Sequence, residues 1–223
     1  MAGVWKKAIP QLLPIPVRAG QVEVVYTSNP AQIKNLLAEV KVWERSIMGN
    51  PSPLQRDSLE LARNSITRWQ EAHRLRHTAD SIQAIREFIT DSKESEVRVL
   101  AVARATWRRR YKTLGLCTFR RTWCNNVCLD VVAAHPGLDK MTESPISGLG
   151  TGLLHHVCSV AAALSANAVW GECTQNTKNF YRLFWDTSGH LEDLIILPAT
   201  DYLSIKSKIE AKWHEAGKLQ TGV

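Results

Sequence analysis

Two neighbouring stretches decide the fold of this chain: Val127-Cys128-Leu129-Asp130-Val131-Val132-Ala133-Ala134-His135-Pro136, and beyond it Ser147-Gly148-Leu149-Gly150-Thr151-Gly152-Leu153-Leu154. The first is a β-branched and apolar run stopped by a proline, so residues 127–134 read as a buried strand with Asp130 its only charge. The second sets glycines ahead of Leu153, Leu154, Val157, Val160, Ala161 and Leu164. Those apolar positions recur at helical spacing and predict a helix over about 150–166. Residues 168–174 read as another strand. Strand, glycine turn, helix and strand in that order make a βαβ unit.

Upstream, residues 97–104 and 114–123 are similar short apolar runs separated by polar or basic turns, and with 127–134 they predict an antiparallel meander. Before Ser95 the texture is helical, with Ile33, Leu36, Leu37, Val40 and Trp43, then Leu59, Ala62, Ile66 and Trp69, around a break at Gly49-Asn50-Pro51. Ser28 or Asn29 caps the first helix, with Pro30 at its first position, and residues 22–26 form a short strand before it. Downstream, residues 177–188 read as a helix carrying Phe180, Tyr181, Phe184 and Trp185, and 194–197 as a strand before a polar helical tail. The class is α/β (α+β): a mixed, mainly antiparallel central sheet in one domain over 1–223. Residues 1–95 supply the N-terminal strand and helices, 96–200 the core and 201–223 the tail.

The 223 residues are 44% hydrophobic and 22% charged, enough apolar material for one sizeable core. The longest mostly apolar stretch, 157–170, is broken by Ser159, Ser165 and Asn167 and falls short of the ~20 residues a bilayer requires, so no membrane partner is expected. Pro10, Pro14 and Pro16 interrupt the apolar run after Lys6-Lys7, so no secretory signal is read. Five cysteines (Cys117, Cys124, Cys128, Cys158, Cys173) without a CxxC pair suggest neither a disulfide framework nor a zinc ribbon, and point to the reducing cytoplasm. The net charge is +7, and between Val97 and Leu129 stand eight basic residues and no acidic one. These are Arg98, Arg104, Arg108, Arg109, Arg110, Lys112, Arg120 and Arg121. They read as a solvated basic hairpin end or as a contact for phosphate or an acidic partner.

The glycine segment carries the most chemistry. Glycines allow backbone amides to approach an anion, and the helix N-terminus behind them adds free N–H groups and partial positive charge, in principle a pyrophosphate cradle. A tight strand-to-helix turn is the plain alternative. A Rossmann arrangement does not fit, because strands and helices precede the glycines and the strand at 168–174 lacks the terminal acidic residue that holds a ribose.

Over about residues 97–197 the sequence resembles the GCN5-related N-acetyltransferase superfamily. Val131-Val132-Ala133-Ala134-His135-Pro136 is similar to the end of that family's central strand, and Ser147-Gly148-Leu149-Gly150-Thr151-Gly152 to its acetyl-CoA loop, with Ser147 where the family has Gln or Arg. Asn176-Thr177-Lys178-Asn179-Phe180-Tyr181-Arg182-Leu183-Phe184 resembles its Asn-containing Phe-Tyr segment. The resemblance implies helices on both faces of the sheet and a splayed strand pair holding acyl-CoA. It implies that Val132, Ala133 and Ala134 contact the pantetheine arm. Ser147, Gly148, Leu149, Gly150, Thr151 and Gly152 would hold the pyrophosphate, with Asn176 and Asn179 also on the cofactor side. It further implies Tyr181 as the acid that protonates the departing thiolate.

Such transfer requires a neutral amine, a donor for the oxyanion and an acid for the thiolate. Asp130 and Glu172 are the candidate bases, although an ion pair with an arginine of the neighbouring strand is the plainer reading of Asp130. His135, before a proline, reads chiefly as a turn residue. No metal is expected: His155 points off the apolar stripe, His156 flanks it, and neither has an acidic or cysteine partner at ligand spacing. Cys124 and Cys128 flank a turn without a histidine to activate either. Trp43, Trp69 and Trp107 suit core positions or the wall of an acceptor groove. The expected function is an acyl-CoA-dependent N-acyltransferase, with acetyl-CoA or another acyl-CoA as co-substrate and an amine-bearing small molecule, peptide or protein as acceptor. The alternatives are a non-catalytic acyl-CoA-binding or interaction module and an acyltransferase directed to RNA such as tRNA, nucleic acid being the less favoured partner. A homodimer is left open.

Overall fold

The computed structural model describes residues 12–13, 22–47, 49–91, 96–105, 112–138, 148–184 and 193–221. Its centre is a seven-stranded sheet whose strands lie side by side in chain order. They are β1 (Leu12–Leu13), β2 (Val22–Tyr26), β3 (Glu96–Ala105), β4 (Thr113–Thr122), β5 (Val127–Ala134), β6 (Ala168–Glu172) and β7 (Leu194–Pro198). A short turn reverses the chain between β4 and β5, so those strands are antiparallel. β5 and β6 are joined through helix α4 (Leu149–Ala163) and are the one parallel pair among the described strands. The mainly antiparallel mixed sheet expected from the sequence is therefore present.

Helices cover both faces. On one side α1 (Pro30–Ser46) and α2 (Pro53–Arg74) bury Ile33, Leu36, Trp43, Leu59, Ile66 and Trp69 against Leu100, Val102, Leu116, Val131 and Ala133. On the other, α3 (Ile82–Asp91), α4 and α6 (Ala199–Thr221) pack on Val97, Val99, Cys117, Phe119, Val127 and Leu129. Each of the first two helices starts with a capping box and a proline in its first turn. Asn29 and Gln32 exchange bonds at α1, as do Ser52 and Gln55 at α2.

Several local expectations change. Helix α4 is buried around its circumference, and His155 and His156 lie inside at 1% and 2% exposure. The single-stripe reading missed this because α6 covers the flank left open by the sheet: His155 Nε2 lies 3.0 Å from Glu210 of α6, and its ring meets Trp213 edge-on. His156 Nε2 pairs with the Tyr26 hydroxyl at 2.9 Å. Trp43 and Trp69 are core residues at 1% exposure, not walls of an acceptor groove. The helix expected over 177–188 is described as α5 (Lys178–Arg182), and Trp185, Trp107 and Arg108–Arg110 lie outside the described residues.

Candidate active site

The sheet parts at one point. β5 and β6 pair at Val127–Val169, Cys128–Trp170 and Leu129–Gly171, and no further rung joins them. At the last rung the two backbones are so close that a Cβ on Gly171 would stand 2.4 Å from the Leu129 carbonyl oxygen, so only glycine fits. One residue later β5 bulges: Phe119 of β4 faces Leu129 and Thr118 faces Val131, leaving Asp130 without an opposite number. A bulge bends its strand and flips the side-chain alternation. Val127 and Leu129 accordingly face α4, whereas Val131 and Ala133 face α1 and α2. Beyond the bulge the β6-facing edge of residues 131–134 has no strand partner among the described residues, and an extended ligand can pair with it.

Helix α4 begins beside that edge. A Cβ on Gly115 of β4 would meet the Ala133 oxygen at 2.8 Å and Leu149 Cδ2 at 2.9 Å, which fixes the first turn of α4 over the end of β5. Gly148, the N-cap, takes φ +77°, a left-handed conformation natural to glycine, and has no side-chain cap. Its carbonyl accepts from Gly152 N at 2.8 Å. The amides of Leu149, Gly150 and Thr151 precede that bond and have no intrahelical acceptor, an arrangement that suits an anion. Ser147 lies outside the described residues.

α5 supplies the third component. The Phe180 ring lies where it would stand 3.3 Å from a Cβ on Gly150, and Phe180 and Tyr181 meet edge-to-face at 5.0 Å. Tyr181 is 8% exposed and belongs to the α4-side core. Burial, and then the nearby Cys117 and Cys173 thiols, raise its phenol above the ordinary range. Cys117 is paired with Val132 across the β4–β5 ladder, which puts Tyr181 beside the open part of β5.

The remaining candidates are placed differently. Asp130 is held by Arg120, whose Nε lies 2.9 and 3.1 Å from its two oxygens, and Arg98 Nη2 lies 3.7 Å away. Arg120 also pairs with Glu96 and donates to Cys128 Sγ at 3.2 Å. Burial, and then the Asp130 charge, push the Cys128 thiol up to about 12, so it carries no thiolate at neutral pH. Glu172 is exposed at the end of β6. Asn179 is exposed, while Asn176 Nδ2 donates to Asp57 Oδ2 of α2 at 2.8 Å. His135 is buried, its Nδ1 accepting from Gly137 N at 3.0 Å and its ring lying against Trp43. The described residues hold no group of three or more potential metal ligands, and none of their helices is long and apolar enough to cross a membrane.

No protein-family model matches this sequence, nor does any curated protein. Solved structures it is similar to include acetyltransferases. Tetrahymena GCN5 has 9% identity and a TM-score of 0.43, covering 79% of this chain and 96% of its own. An acetyltransferase of the GNAT family from Staphylococcus aureus has 10% identity and a TM-score of 0.40, covering 73% and 79%. An acetyltransferase from Streptococcus agalactiae has 13% identity and a TM-score of 0.38, covering 75% and 82%.

Two features of the site escaped the sequence. The bulge left no signal in residues 127–134, because an apolar run buried on both faces shows no alternation to break. The bond from Asn176 to Asp57 of α2 joins residues far apart in the chain.

Proposed function

We propose that this chain is an acyl-CoA-dependent N-acyltransferase, with acetyl-CoA as donor, that transfers the acyl group directly to an amine while both substrates are bound. The observation that carries the reading is the parting of β5 and β6 after Leu129–Gly171, beside the first turn of α4 and the buried Tyr181. Pantetheine is a chain of amides and pairs readily with a free strand edge, the role given to residues 132–134. The first-turn amides of 149–151 suit the pyrophosphate.

In the reaction the neutral amine attacks the thioester carbon, and a β5 amide stabilises the oxyanion. Collapse breaks the C–S bond. Tyr181, kept protonated by burial, gives its proton to the departing thiolate and recovers one from solvent. The proton lost by the amine passes to solvent or to Glu172, exposed at the end of β6. Asp130, fixed by Arg120 and Arg98, serves the bulge and not proton transfer. A thiol reagent that reports free CoA, run over a panel of amines and acyl-CoAs, tests the proposal. Amine-dependent CoA release supports it. Saturable acyl-CoA binding with no release on any amine would favour a binding module.

A further inference from the structure

The first turn of α2 touches both sides of the opening. Gln55, its third residue, accepts from Ser52 N at 3.0 Å to cap the helix. Gln55 Nε2 also donates to the Pro136 carbonyl at 2.8 Å, just beyond the end of β5. Two residues on, Asp57 Oδ2 accepts from Thr174 Oγ1 at 3.2 Å and from Asn176 Nδ2 at 2.8 Å, both in the loop that follows β6. That loop is the root of α5. The Thr174 carbonyl accepts from Thr177 N at 3.0 Å and Lys178 N at 3.1 Å, and Thr177 Oγ1 accepts from Thr174 N at 2.9 Å. Lys178 is the first residue of the five-residue helix that carries Tyr181. So short a helix has little stability of its own and stands where its ends are held.

We propose that Asp57 is a positioning residue for Tyr181: with Gln55 it straps the two parted strands to α2 and fixes the turn from which the acid is presented. The inference rests on the acyltransferase reading for its kinetic part and on geometry alone for its structural part. Asp57 touches no reacting atom, and its effect passes through Thr174, Thr177 and α5.

Two experiments test it. Without any acyl-CoA, amide hydrogen exchange over residues 174–181 should quicken at least ~tenfold in Asp57→Ala and stay near wild type in Asp57→Asn, which keeps an acceptor oxygen for Thr174. Equal exchange in wild type and Asp57→Ala overturns the strap, whatever the chain's activity. In turnover, Asp57→Ala should lower kcat by roughly tenfold, as small misplacements of catalytic groups do, with KM for acyl-CoA unchanged and activity restored in Asp57→Asn. In a Tyr181→Phe background the same change should cost nothing further. An equal loss in both backgrounds would refute action through Tyr181. Quickened exchange in a chain that turns over no amine would keep the strap and reject the acyltransferase reading.

Discussion

Replacing Tyr181 by phenylalanine removes one oxygen from a side chain that is 8% exposed and whose hydroxyl makes no hydrogen bond among the described residues. No bonded pair is broken, so stability should change by less than about 1 kcal/mol. The ring contact with Phe180 is kept. Chemistry is affected differently, because general acids contribute ~10²-fold or more, equivalent to about 2.7 kcal/mol of transition-state stabilisation. Steady-state kinetics should therefore show kcat reduced about a hundredfold and KM for acyl-CoA nearly unchanged. pH adds a second test. Burial holds the phenol above its ordinary value of about 10, so the protonated acid persists through the neutral and mildly alkaline range, and Tyr181 should impose no fall in kcat below pH 10. A kcat within threefold of wild type would refute the acid role. So would a loss of acyl-CoA affinity that accounts for the whole defect.

Gly171→Ala would put a methyl carbon 2.4 Å from the Leu129 oxygen. Forcing these backbones apart should cost roughly 1–3 kcal/mol and lower Tm by about 3–10 °C for a chain of this size, as calorimetry would show; an unchanged Tm would mean that β6 yields freely. Asp130→Ala leaves Arg98 and Arg120 with Glu96 alone and should destabilise by about 2–3 kcal/mol in urea unfolding, since the carboxylate is 5% exposed and breaking such a pair strands a charge. Full stability with kcat abolished would instead make Asp130 the base. Burial, and then His155, push the His156 imidazole down to about 3. It stays neutral when folded and takes a proton when unfolded, so stability is complete above the ordinary value near 6.5 and falls as pH drops from there toward 3. Urea midpoints at pH 7 and pH 5 should show the fall, and the double change Tyr26→Phe and His156→Phe should reduce it.

The fold was legible where pattern and chain proximity decide it. The β4–β5 reversal, the α4 crossover and the Asn29 cap with Pro30 at the start of α1 each follow from a few adjacent residues. The ends of β5 agree with the apolar run 127–134, and the α4 N-cap with the glycine segment. What could not be read depends on partners remote in sequence. His155 appeared to face away from the core because α6, some 50 residues on, was not in the pattern. Asp130 could be a raised carboxylate or an ion pair, and only the facing strand supplies Arg120. Asn176 was assigned to the cofactor side from its place near Phe180-Tyr181, and its Nδ2 bond goes to Asp57, which the sequence sets far away in α2.

The parting of β5 from β6 beside the α4 N-terminus is the centre of the functional reading, and calorimetric titration of acetyl-CoA and of free CoA into the purified chain tests it most directly. Gly150→Glu, with its fold checked by circular dichroism, is the control, because the new side chain would bring a negative charge to the first turn of α4 and press on Phe180. The expected result is saturable one-to-one binding to the wild-type chain, weakened at least ~tenfold, or about 1.4 kcal/mol, in the variant. Wild-type protein that binds neither ligand, or a folded Gly150→Glu variant that binds both as tightly as wild type, would contradict it.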